Sequence, residues 1–324
     1  MQELLPAFLP RFSLMARLSG EWVAVLIVTT ILAAQAQEPA KPQSQNNNGL
    51  FLQWNDVEKN IWANAKPYLD DPLPQLEDAV PELKGLDPAA GQEKLAFILS
   101  KIGSRCVEQL QHTPNVISDE KVITRMQHSR PWQEKFGYLV LSRQTADGTV
   151  LEEYRTDSHG HAIQEGPGSG PFSQGFASMW VRFLPANRSE SRFRYLGQQE
   201  VDKHKTLVVA FAQIPDSVKF PAEFLFQGTR ISILYQGVAW IDPSDFRIMR
   251  MREDLLAPRP DAYLQKFTAQ IRFNEVHIAK AASSLWLPQE ALVEWDFEGR
   301  LGQQRHVYSH YRLYGVQTKV LPAE

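Results

Sequence analysis

Gly237-Val-Ala-Trp-Ile-Asp-Pro-Ser-Asp-Phe-Arg-Ile-Met-Arg-Met-Arg-Glu253 is the stretch that decides the fold. Two runs of strand-forming residues, one ending at Ile241 and one starting at Phe246, flank Asp242-Pro243-Ser244-Asp245. Those four residues favour a turn, so the reading is a β-hairpin. The pattern recurs outward in both directions. Residues 191–198 and 205–214 flank a polar turn around Asp202, and residues 136–143 and 149–156 flank Asp147-Gly148. Residues 267–278, 285–297 and 303–314 complete the series. Successive strands joined by short turns predict an antiparallel sheet and argue against βαβ units. Residues 172–183 are the exception and read as a helix or a broad crossover.

Side-chain alternation shows how the sheet is used. Ala291, Val293, Trp295 and Phe297 alternate with Glu294 and Asp296, which gives one dry and one wet face. Leu207, Val209 and Phe211 are large, whereas Val208, Ala210 and Ala212 between them are small. Both faces of that strand are therefore covered, the small one by a closely approaching helix. Residues 50–111 read as helical, most clearly over 88–111, with Asp87 as cap and Pro88 in the first turn. Leu95, Ile98, Leu99, Ile102, Cys106 and Leu110 share one face of that helix. Cys106 thus reads as a buried structural thiol, and as the single cysteine of the chain it has no disulfide partner.

The fold class that follows is α+β, mainly β. It is a curved antiparallel sheet wrapped around helices, with an N-terminal helical region. Residues 112–324 form the sheet domain and pack with the preceding helix. The first segment, 1–36, reads as a signal peptide. Arg11 and Arg17 precede the apolar run 22–34, and Ala34-Gln35-Ala36 offers a small-x-small cleavage site. That run has 13 residues, short of the ~20 that span a bilayer; Met15 is an alternative start. Residues 37–49 are polar and proline-bearing, a disordered linker. The chain is expected to be exported, to the periplasm or beyond, after cleavage near Ala36. The formal net charge is −3 in 324 residues, which gives no general electrostatic reason to bind nucleic acid.

Chemistry-bearing motifs are sparse. No G-x-S-x-G elbow, phosphate-binding loop, H-E-x-x-H or C-x-x-C occurs. No catalytic residue, metal site or cofactor is assigned, and enzymatic activity stays an open question. His159 and His161 offer two metal ligands but need a third from elsewhere, and read as a turn pair. His306 and His310, on a strand, are too far apart for one ion and lie on one face with Tyr308, Arg312 and Tyr314. Glu152-Glu153 and the pair Glu290 and Glu294 read as solvated surface. The Gly/Pro run 166–171 is a connector. In residues 246–260, Met249 and Met251 share one face and Arg250 and Arg252 the other. Either they wall an apolar cavity with basic residues at its rim, or the arginines pair with Asp245, Glu253 and Asp254.

The hairpin from Gly237 to Met251, after an export signal and a helix, resembles the periplasmic lipoprotein-carrier (LolA-like) half-barrel superfamily. It resembles more closely a group of uncharacterised bacterial exported proteins. The resemblance spans roughly residues 88–314, and the extra helical region 50–87 departs from the carriers. It implies that the curved sheet is an open half-barrel wrapped around helices, and that the protein is a non-enzymatic binder of a lipid or lipid-modified protein in an apolar cavity, with transient membrane contact. The candidate ligand-binding residues are Trp180, Phe183, Trp240, Met249, Met251, Arg250 and Arg252. An envelope protein-interaction or stress-sensing module is the first alternative. A metal-dependent or glycan hydrolase is the second.

Overall fold

In the computed structural model the described residues are 26–28, 54–145, 148–163, 172–173, 175–219, 221–226 and 229–315. The cleavage point, the linker 37–49 and the run 166–171 lie outside them, as does most of the signal segment. The strands are β1 Leu26–Val28, β2 Asp87–Pro88, β3 Val116–Met126, β4 Trp132–Thr145 and β5 Gly148–Thr156. Next come β6 Phe172–Ser173, β7 Ser191–Val201, β8 His204–Gln213, β9 Ala222–Phe226 and β10 Thr229–Ile233. The last are β11 Tyr235–Ile241, β12 Ile248–Leu255, β13 Leu264–Val276, β14 Leu285–Phe297 and β15 Arg300–Leu313. The helices are α1 Asp56–Ala63, α2 Leu73–Ala79 and α3 Leu95–His112.

Eleven strands form one sheet in the order β2-β7-β8-β11-β12-β13-β14-β15-β3-β4-β5, and four form a small sheet, β10-β9-β1-β6. Every pairing in the large sheet is antiparallel. The expected hairpin is β11–β12, turned at Asp242, whose side chain accepts from the Ser244 amide at 2.7 Å. Because β3 joins the final strand β15, the early strands extend the sheet past the late ones. The outermost strands β2 and β5 do not pair with each other, so the sheet stays open. The chain then has to travel from β5 at one end to β7 near the other. That crossover, residues 157–190, ends in short 3-10 turns at Met179–Phe183 and Arg188–Glu190.

Helix α3 touches both β5 and β7. Strands at opposite ends of a sheet reach one helix only on the inside of its curve. This inner face carries Phe211, Met251, Phe267, Ile271, Val293 and Trp295, with Ile98, Leu99, Ile102 and Cys106 of α3. The outer face of β8 and β11 carries Val208, Ala210, Ala212, Val238 and Trp240, covered by Trp62, Leu76 and Leu83 from the segment 54–86. Strand β8 is therefore sandwiched as its alternation predicts. Its small residues face the N-terminal segment, and its large ones point inward. Helix α1 starts in a capping box, with Asn55 and Glu58 bonding each other's backbone N–H groups at 2.9 and 3.1 Å.

Two expectations need correction. The clearest helix begins at Leu95, not near 88, because Asp87 and Pro88 pair with Gln198 and Gly197 of β7. Gly197 permits this: its φ is +138°, and a Cβ there would lie 2.0 Å from the Asp87 carbonyl oxygen. The second concerns β15. A bulge between Ser309 and Arg312 puts His310 at φ 53° and reverses the alternation. His306 and Tyr308 are consequently buried on the inner face, while His310 and Arg312 are exposed.

Candidate functional site: the inner face and its crossover

Residues 176–183 of the crossover pack on the inner face beside α3, as do Phe224 and Ile233 of the small sheet. The crossover's 3-10 turn presents Met179, Trp180 and Phe183 to the inner face, and all three are buried. Aromatic edges meet there: the Phe183 ring lies 5.4 Å from Phe193 and 5.8 Å from Phe211. Polar contacts anchor the crossover at several points. The Glu153 carboxylate of β5 accepts the backbone N–H groups of Gly175, Phe176 and Ala177 at 2.9, 3.2 and 2.8 Å. Burial raises the Glu153 carboxyl above its ordinary range, against these hydrogen bonds. Arg182 pairs with Glu253 of β12, and its guanidinium lies 5.0 Å from the Tyr235 ring centre. Arg188 donates to the Leu99 carbonyl of α3 at 2.7 Å. Gly103 leaves room for that contact, since a Cβ would fall 2.4 Å from an Arg188 nitrogen and 3.2 Å from the Phe183 carbonyl oxygen.

One end of the inner face is polar. Glu120 of β3 receives Arg155 of β5 through both carboxylate oxygens, one contact at 2.7 Å, and meets His306 Nδ1 of β15 at 2.8 Å. Burial pushes the Glu120 carboxyl up, but the Arg155 charge and these hydrogen bonds outweigh it and hold it at about 2. A carboxylate at Nδ1 fixes the hydrogen there, so neutral His306 presents a bare Nε2 acceptor. Burial lowers the His306 pKa, against the opposing pull of Glu120. The His306 ring stands 5.0 Å from Phe176 of the crossover. His306 Nε2, Tyr308 OH, Tyr235 OH and Trp180 Nε1 are buried without a hydrogen-bond partner among the described residues. The inner face thus combines a large apolar lining with polar atoms able to bond a guest.

The residues singled out from the sequence fall into two groups. Trp180, Phe183 and Met251 belong to the inner cluster. Trp240, Arg250 and Arg252 lie on the outer face. Trp240 donates to Gln199 at 2.7 Å, Arg250 stacks 4.9 Å from the Trp240 ring, and Arg252 bonds Glu82 and Asp254 at 2.7 and 2.8 Å. Together they hold the N-terminal segment down. A register shift between Trp240 and Ile241 leaves Met249 as a bulge residue. Met249 and Met251 therefore do not share a face. Met249 lines an outer groove of about 430 Å³ with Arg250, Gln270, Arg272 and Phe273. Of the paired acids, Glu290 is held by Arg305 at 2.9 and 3.0 Å. Glu153 is a crossover anchor, not solvated surface.

Glu120, Arg155 and Glu153 were missed as a group, yet their alternation carries the signal. Ser118 and Glu120 are in phase with Val116 and Val122, and Glu153 and Arg155 with Leu151. Charges in phase with the dry residues of a strand are buried charges. Cys106 is buried as expected, and burial pushes its thiol up to about 12.

No protein-family model and no curated protein matches this chain. The fold is similar to several solved structures. One is a domain from Vibrio parahaemolyticus named for outer membrane lipoprotein sorting, at 12% identity and TM-score 0.36, covering 69% of this chain and 94% of that one. Another is a LolA superfamily protein from Nitrosomonas europaea, at 14% identity and TM-score 0.32, covering 68% and 94%. A third is a DUF1329 family protein from Desulfovibrio piger, at 10% identity and TM-score 0.32, covering 67% and 92%.

Proposed function

We propose that the protein is an exported, non-enzymatic carrier that takes up an acyl chain, of a lipid or of a lipid-modified protein, on the inner face of its half-barrel. One observation carries this reading. The apolar inner face is covered by elements outside the large sheet, namely α3, strands β9 and β10 and a crossover fastened at separate polar anchors. The crossover lies over the Phe211 and Tyr235 rings, through Phe183 at 5.8 Å and Arg182 at 5.0 Å, and parting Arg182 from Glu253 and the crossover amides from Glu153 breaks no pairing of the large sheet. Burying apolar surface supplies the affinity, about 25 cal/mol per Å² before the losses of association are counted. The unpartnered Tyr308, Tyr235 and His306 atoms give a polar group on the guest somewhere to bond. Export rests on the order of Arg11, Arg17, the apolar run 22–34 and Ala34-Gln35-Ala36.

The test is direct. The purified protein is extracted with organic solvent for lipid analysis, then titrated with a fluorescent fatty acid. The reading expects co-purified acyl compounds and saturable binding that Trp180→Ala or Met251→Glu alters. Protein that is free of lipid and shows no saturable binding overturns it.

A further inference from the structure

The turn that starts the crossover brings together three metal-ligating groups that the inner face does not use. Strand β5 ends at Thr156, and Asp157-Ser158-His159-Gly160-His161 turns the chain back beside it. The Asp157 amide donates to the His161 carbonyl at 2.9 Å, and the Ile163 amide to the Arg155 carbonyl at 2.8 Å. Gly160, at φ +84°, makes the reversal possible. Asp157 then divides its carboxylate. Oδ1 accepts the amides of His159 and His161 at 2.8 and 2.9 Å. Oδ2 is left facing both imidazoles, 3.3 Å from His161 Nδ1 and 3.7 Å from His159 Nδ1.

Those separations are informative. A tetrahedral zinc with ligands at 2.0–2.1 Å has ligand-to-ligand edges of about 3.3 Å. One edge of such a site, to His161, is therefore already formed, the edge to His159 is longer at 3.7 Å, and the three residues offer ligand atoms within 4.8 Å of one another. The third ligand that a histidine pair needs is supplied by the residue two positions before it. Its orientation is set by the turn itself.

We propose that Asp157, His159 and His161 form a site for one borderline transition-metal ion, Zn(II), Co(II), Ni(II) or Cu(II), with water completing the shell. Two imidazoles and one carboxylate suit these ions; Mg(II) and Ca(II) prefer all-oxygen shells. The side chains of His159 and His161 are 76% and 81% exposed, so an ion reaches them from solvent, and small side-chain rotations bring His159 to coordinating distance. A proton shared between an imidazole and Oδ2 satisfies the same contacts, and the experiment has to separate the two cases.

The full chain, free of affinity tag and stripped with chelator, is titrated with zinc chloride by calorimetry at neutral pH. Cobalt(II) absorption serves as the second readout. One Zn(II) per chain is expected at micromolar affinity. His159→Asn and His161→Asn each weaken it at least ~10-fold, since each removes one of only three protein ligands. His310→Asn is the control: it breaks a lone exposed histidine–aspartate contact of 3.0 Å, with Asp119, and leaves the affinity unchanged. Melting temperatures of the metal-free variants confirm that the fold is retained. Absence of saturable uptake overturns the proposal. So does wild-type affinity in the His159→Asn/His161→Asn double variant, or equal weakening by His310→Asn.

Discussion

Arg182 of the crossover and Glu253 of β12 form an ion pair whose side chains are 10% and 4% exposed. It joins the lid of the half-barrel to the centre of its sheet. Replacing one partner strands a buried charge, which typically costs about 3–5 kcal/mol. Glu253→Ala is expected to lose stability on that scale in urea unfolding. It is also expected to bind an apolar dye more strongly than wild type under native conditions, because the crossover is released first. Lower stability with no gain in dye binding would mean that the pair holds the sheet and not the lid.

The Glu120–Arg155 pair predicts a pH dependence. The folded Glu120 carboxyl sits at about 2, below the ~4.3 of an unfolded glutamate. A lowered folded value contributes stability above the unfolded value and loses it as pH falls towards the folded one. The contribution is on the order of 3 kcal/mol above pH ~5 and disappears between about pH 4 and 2. His306 acts in the same direction in a higher window. Its lowered folded pKa withdraws stability as pH falls through the ~6.5 of an unfolded histidine. Urea unfolding at pH 7, 5 and 3 is expected to show both steps in wild type. Glu120→Gln is expected to be less stable at pH 7 and to lose the lower step.

Gly103 sets the distance between α3 and the crossover. A valine there meets the Phe183 carbonyl oxygen and the Arg188 guanidinium, the first of which is backbone and cannot swing aside. Gly103→Val is expected to destabilise by about 1–3 kcal/mol, as overpacking does. It is also expected to raise amide exchange at residues 179–190. Gly103→Ala is milder, since helix propensity favours alanine over glycine by up to ~1 kcal/mol.

Glu82 fastens the outer segment, with oxygens 2.7 Å from Arg252 and 3.7 Å from Arg250. Glu82→Ala is expected to open residues 54–86 to limited proteolysis while the inner face keeps its ligand affinity. Loss of ligand binding in that variant would show that the outer arginines serve the guest and not the segment.

The large sheet was legible because the hairpin turns are local. Asp242-Pro243, Asp147-Gly148 and the turn at Asp202 announce themselves in a few residues. The sandwiching of β8 was legible from the size of its alternate side chains. What escaped depends on distant partners or on a single inserted residue. The bulge at His310 and the one at Met249 reverse the alternation without any composition signal. Asp87-Pro88 carries a good helix start, but Gly197, far along the chain, offers β2 an edge to pair with. Glu153 reads as surface until the crossover amides are brought to it, and Asp157 becomes a third ligand only once the turn closes.

Hydrogen–deuterium exchange at Gly175, Phe176 and Ala177, with and without saturating lauric acid, tests the central claim most directly. Their amides are held by Glu153, so an acyl chain that enters by displacing the crossover should speed their exchange at least ~10-fold, since an opened amide loses its hydrogen-bond protection. The β11–β12 amides should stay protected. Saturable lauric acid binding with unchanged protection at these three amides would contradict the account.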